Sequence, residues 1–138
     1  MTGENKAFAG TDSLLLRGAG LSPGLVDDLL RMNPWWQGKP MPPLPPIRRH
    51  LVGQMDARLE RALAPITVLR GPRQIGKTTA HLQLIRDLLG RGVAPARILR
   101  LQCDELPEIR RLPEPILRVV DWFERAILKK TLNEAAHE

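Results

Sequence analysis

Residues 71–78 of this 138-residue chain, GPRQIGKT, have types and spacing that dictate a chemistry. They fit the pattern Gly, four residues, Gly, Lys, then Ser or Thr, which builds a cradle for phosphate oxygens from main-chain N–H groups. Gly71 permits a backbone conformation closed to other residues, and Gly76 lets N–H donors approach an anion with no side chain between them. Lys77 adds a mobile positive charge suited to β- and γ-phosphates, and the Thr78 hydroxyl is a ligand for Mg²⁺. Pro72, Arg73, Gln74 and Ile75 form the span of the loop. Thr79 starts the helix behind it, with a second hydroxyl on the metal side as its other reading.

The pattern is specific when a strand precedes it and a helix follows, and the flanks supply both expectations. PITVLR, bounded by Pro65 and Gly71, reads as a short buried strand. TTAHLQLIRDLLGRG reads as an amphipathic helix with Leu82, Ile85, Leu88 and Leu89 on one side and Gly90 as its stop. ARILRLQC then reads as a second apolar strand. Strand, loop, helix, strand is a βαβ unit with parallel strands, so the expected fold class is α/β. A helix N-terminus aimed at the loop adds unpaired N–H groups and the positive end of its dipole.

Upstream, LSPGLVDDLLRMN predicts a short helix, with Ser22 as N-cap, Pro23 at the first helical position and Leu21 stapled onto Val26, ending near Asn33. Five prolines between Pro40 and Pro46 follow, predicting an extended, polyproline-like connector. PPLPPIR within it fits a PxxPxR ligand pattern, although a rigid connector accounts for it more simply. Trp35 and Trp36 are read as packing anchors. From Arg49 to Leu63 the apolar positions Leu51, Met55, Leu59 and Ala62 predict a second helix. Ile116, Val119, Val120, Phe123, Ile127 and Leu128 predict a third, beyond the proline-punctuated DELPEIRRLPEP. The domain reading is a flexible arm over 1–20, a helix with NPWW and connector over 21–48, and a phosphate-loop domain over 49–138.

Composition narrows the function classes. The formal charge of +6 comes from 21 Lys and Arg scattered over every segment, with no basic run interleaved with aromatics, so nucleic acid is not indicated. The single cysteine, Cys103, excludes an internal disulfide framework and a CxxC site; it lies in an apolar run and reads as a small core residue in a reducing compartment. No stretch has the length of a membrane span, and MTGENKAFAG lacks the pattern of a secretion signal, so the expected location is cytoplasmic. His50, His81 and His137 stand without partners at metal-ligand spacing.

NPWW at 33–36, a proline-containing spacer, an amphipathic helix and then ITVLRGPRQIGKTT together resemble a family of prokaryotic AAA-type ATPases in which a GPRQxGKTT loop follows an NPWW segment. The likeness runs from about Leu21 to the end. It implies an incomplete AAA-type P-loop core of the ASCE class with ATP and Mg²⁺ as ligands, Gly71 to Thr78 as the nucleotide loop, and Arg73 and Gln74 as family-typical loop residues.

Hydrolysis needs more than this loop: an acidic strand end to hold Mg²⁺ through water, a base to orient the attacking water and usually an arginine finger. ILRLQCDEL offers Asp104 and Glu105 after apolar residues, but it directly follows the loop's helix, and Arg100 and Gln102 interrupt the run. In the resembling family the acidic strand comes one long helix later, beyond residue 138. The expectation is therefore the ATP-binding, N-terminal part of a larger ATPase, from a truncated or split gene, with impaired hydrolysis and with the rest of the ATPase or another copy as partner. Two alternatives stay open: a complete small ATPase that uses Asp104 or Glu105, and an interaction fragment indifferent to nucleotide.

Overall fold

The structure, a computed structural model, describes residues 20–46, 50–61, 67–70 and 76–138. Its helices in chain order are α1 (Pro23–Met32), α2 (His50–Arg61), α3 (Lys77–Gly90), α4 (Pro115–Phe123) and α5 (Leu132–Ala136). Short 3₁₀ turns span Pro34–Gln37, Pro95–Arg97, Cys103–Glu105 and Pro107–Arg111, and a π turn, Glu124–Leu128, continues α4. The chain divides into two compact units, one formed by the residues up to Pro40 together with Pro95–Glu138, the other by Met41–Ala94.

In the first unit α1 forms where its capping residues place it. The Ser22 hydroxyl accepts from the Leu25 N–H at 3.2 Å, Pro23 occupies the first turn, and Leu21, Leu25, Val26, Leu29 and Met32 are buried. Ser22 Oγ also donates to the Glu108 carboxylate, which lies so close to the first turn that a Cβ on Gly24 would come 3.1 Å from Glu108 Oε1. Asn33 ends the helix: its N–H and its carboxamide both donate to the Leu29 carbonyl, at 3.1 and 2.8 Å. The next turn buries Trp35 and Trp36, and the Trp36 ring lies 5.9 Å from that of Trp122 and 5.7 Å from that of Phe123. These rings, with Val119, Ile127 and Leu128, form the core of the unit, and the tryptophans act as the packing anchors expected of them. Lys129, at φ 61°, breaks the last expected helix, and Thr131 restarts the chain as α5 through a reciprocal capping box with Glu134.

The expected α/β class, a βαβ core with parallel strands, is overturned: among the described residues there is no strand. Pro65 and Ile66 lie outside them, and Thr67–Arg70 run without helix or ladder, Val68 being 68% exposed. The second expected strand fails for a visible reason. A strand exists only when its N–H and C=O groups pair with a neighbouring strand. Here those groups are taken by side chains of the NPWW segment. Both indole N–H groups, of Trp35 and Trp36, donate to the Ile98 carbonyl at 3.0 and 2.8 Å. The Asn33 carboxamide donates to the Arg100 carbonyl at 3.0 Å and accepts the Arg100 N–H at 2.6 Å. One fully buried side chain thus makes both of the bonds that a paired strand residue would make to Arg100. Cys103 closes the run inside a 3₁₀ turn and is exposed, not a core residue.

In the second unit α2 packs on α3. Val52, Met55 and Ala80 form its buried cluster, with Leu51, Leu69 and Leu84 against it. The buried face of α2 is turned from the expected one: Val52 is fully buried while Leu59 is 49% exposed, and Ala62 lies outside the described residues.

Candidate phosphate-binding site

The expected loop is described from its second glycine onward; Gly71, Pro72, Arg73, Gln74 and Ile75 lie outside the described residues. Gly76 has φ 91° and ψ 21°, a left-handed conformation that a side chain would strain. Straight after it α3 begins at Lys77, and the Ala80 N–H closes the first turn on the Gly76 carbonyl at 2.9 Å. Among the described residues no side chain caps the first N–H groups of this 14-residue helix, where the positive end of its dipole also lies. Lys77 is half-buried, Thr78 is exposed and Thr79 is half-buried.

The elements behind this end hold it in place. Ala80, one turn in, is sealed against Val52 and Met55 of α2. At the other end of α3 the Arg91 guanidinium grips Asp56 of α2 with two bonds, at 2.8 and 2.9 Å, and reaches Glu60 at 3.0 Å. Gln83, fully buried on α3, donates to the Pro45 carbonyl at 3.3 Å, which ties the proline connector to the helix. Sequence reasoning missed Gln83 and the Asp56–Arg91 pair. Their one legible trace was a glutamine three residues after Ala80 on a face that had to be buried.

The residues weighed as an alternative acidic pair belong to the other compact unit. Asp104 and Glu105 are both exposed in the 3₁₀ turn, and the Glu105 carboxylate accepts from Gln102 Nε2 at 2.7 Å. Among the described residues no three His, Cys, Asp or Glu side chains come together as a metal site. No described helix is long and apolar enough to cross a membrane.

A left-handed glycine at a helix start, followed by Lys and Thr, is an arrangement that can present main-chain N–H groups and a cation to a phosphate. The family model described as an AAA domain matches residues 63–136, a span that contains this terminus, the loop before it and the remainder of the chain to α5. The chain belongs to this AAA domain family, which places it among AAA-type nucleotide-binding proteins. No curated protein and no solved structure matches it significantly.

Proposed function

We propose that the chain binds ATP as its magnesium complex, with Gly71 to Thr79 enclosing the phosphates. The observation that carries this reading is the α3 N-terminus: Gly76 in the left-handed region directly before Lys77 and Thr78, with no side-chain cap among the described residues. In this reading Lys77 meets the outer phosphates and the Thr78 hydroxyl joins the Mg²⁺ shell, while the main-chain donors of the loop and of the first helical turn enclose phosphate oxygens. Bound ATP supplies a transferable phosphoryl group. What this chain contributes is charge, donors and a fixed helix axis, and the proposal is one of binding, not of turnover. In the same proposal 49–138 works as the nucleotide-binding part of an ATPase.

The test is calorimetric titration of Mg-ATP into the wild type and into Lys77→Ala. Loss of charge-assisted hydrogen bonds worth about 1.5–3 kcal/mol should weaken binding by roughly 10- to 150-fold. Thr78→Ala should weaken binding of Mg-ATP but leave that of metal-free ATP almost unchanged. Absence of heat with the wild type, or equal affinities of wild type and Lys77→Ala, would overturn the reading.

A further inference from the structure

Between Pro40 and Pro46 every residue is a proline except Met41 and Leu44, and each of those precedes one. Proline holds its own φ at about −65°, and a residue before proline is kept out of the helical region. The regular form open to this main chain is therefore the polyproline II helix, with about three residues per turn. From Met41 to Pro45 the chain runs without helix, turn or ladder, and it bends at Pro46. Exposure along it repeats in threes. Met41 and Leu44 are half-buried, whereas Pro42 and Pro45 on the second edge, and Pro43 and Pro46 on the third, are exposed. The edge without proline is turned to the protein, and two proline ridges face outward. Gln83, fully buried on α3, pins the segment by donating to the Pro45 carbonyl at 3.3 Å. Among the described residues the carbonyls of Pro42 and Pro43 make no hydrogen bond.

We propose that Pro42–Pro46 is the docking site for a partner protein module of the SH3 kind, with a groove lined by aromatic side chains and flanked by carboxylates. Composition alone does not separate a connector from a ligand; the direction in which each edge faces does. A threefold rod laid in a groove meets the walls with two edges and leaves the third outside, and here the third edge is the one already turned to the protein. Proline-rich rods dock in aromatic grooves because their shape is set beforehand, and the tie to Gln83 lowers the remaining ordering cost. The free carbonyls of Pro42 and Pro43 are acceptors for indole or phenol groups on the groove wall. Charge defines the flank. Pro43, Pro46 and Arg48 stand in the PxxPxR register. The compact unit Met41–Ala94 has Asp56, Glu60 and Asp87 as its only carboxylates, the first two engaged by Arg91 and the third by Arg86. Its surplus of positive charge favours an acidic partner surface. A second copy of this chain does not supply the groove, because every described aromatic side chain, Trp35, Trp36, Trp122 and Phe123, is buried. None of the docking residues belongs to the phosphate loop, so the proposal stands independently of nucleotide binding.

The probe is an isolated SH3 domain of the PxxPxR-binding class, titrated calorimetrically into the full chain. A copy of that domain with its groove tryptophan replaced by alanine is the control. Binding should be saturable and at least about 30-fold weaker for the control, as for a central aromatic hot spot. In the chain, Pro43→Ala with Pro46→Ala should weaken binding by at least about 10-fold while the urea midpoint stays put, because both side chains are exposed. Arg48→Glu should weaken it by a similar factor, and Leu44→Ala, on the edge turned away from the groove, by far less. The proposal is overturned if the full chain shows no saturable binding or if the control domain binds equally well. It is also overturned if Arg48→Glu leaves the affinity unchanged, or if Leu44→Ala costs as much as the double proline variant.

Discussion

Replacing Asn33 by leucine tests the central joint of the first unit. The side chain is fully buried and makes three hydrogen bonds, to the Leu29 carbonyl and to both main-chain groups of Arg100. Leucine has the same branching but is bulkier, so no cavity forms and any overpacking adds to the loss of these bonds. At about 1 kcal/mol net for each neutral bond, and somewhat more where a part-buried N–H is left unmatched, the destabilisation is roughly 3 kcal/mol. That is a large share of the ~5–15 kcal/mol by which a domain is stable, and for a chain of this size it lowers Tm by roughly 10 °C. Urea unfolding followed by tryptophan fluorescence reads it directly, because Trp35, Trp36 and Trp122 are all buried in the affected unit. Asn33→Asp separates the donor from the acceptor role. Its oxygens can still accept the Arg100 N–H, but the group facing two carbonyls loses its protons and gains a charge that burial disfavours. The aspartate variant should therefore be worse than leucine at pH 7. It should recover as pH falls through the raised pKa of the new carboxyl, whose neutral form donates once. A leucine variant within about 0.5 kcal/mol of wild type would refute the reasoning, since that is the range of surface substitutions that touch nothing.

Other consequences are smaller or more local. Gly76→Ala places a Cβ at φ 91°, a strain of about 1–2 kcal/mol that should appear both as lower stability of the second unit and as weaker Mg-ATP binding; an unchanged affinity would mean that the loop reshapes without cost. Asp56→Asn should cost about 1 kcal/mol, because Arg91 is 41% exposed and the pair is partly screened, and the difference should shrink in 0.5 M salt of roughly 4 Å Debye length. The Glu138 carboxyl is held below the ordinary carboxylate range by the hydrogen bond from Lys130 and then by its charge, with a smaller part from Arg97. A depressed folded-state pKa contributes stability that is present above the ordinary range and lost as pH falls through the lowered value. Lys130→Ala should therefore return the Glu138 titration, read by carboxyl carbon NMR, toward the ordinary range, and an unchanged curve would remove the pair.

The strength of a local rule decided what could be read in advance. The cap of α1 at Ser22, its end near Asn33 and the anchoring tryptophans followed from residues adjacent in sequence, and the structure has them there. The helix behind Gly76 followed from its apolar periodicity and its place after the loop motif, and α3 stands there. The two strands did not survive, because an apolar run of strand-like composition states only that its main chain needs partners and its side chains need burial. For Ile98 and Arg100 those partners are Trp35, Trp36 and Asn33, more than 60 residues earlier. No periodicity encodes a contact at that separation. Cys103 was misread for the same reason: hydropathy proposes burial, but a turn placed it at the surface. The buried face of α2 was only partly foreseen: Met55 is buried and Leu51 packs against the cluster, but fully buried Val52 was not anticipated and Leu59 is exposed.

By itself, then, the sequence carries the phosphate-loop pattern of residues 71–78 and the family match over 63–136, since such a pattern is a matter of residue types at fixed short spacing. Tertiary structure alone decided what satisfies the main chain of 98–102, which faces of α2 and α3 meet, and how Gln83, Asp56 and Arg91 fix the helix behind the loop. The physical reason is that hydrogen-bond partners and packing faces are set by which segments come together in space, a property that no segment carries alone.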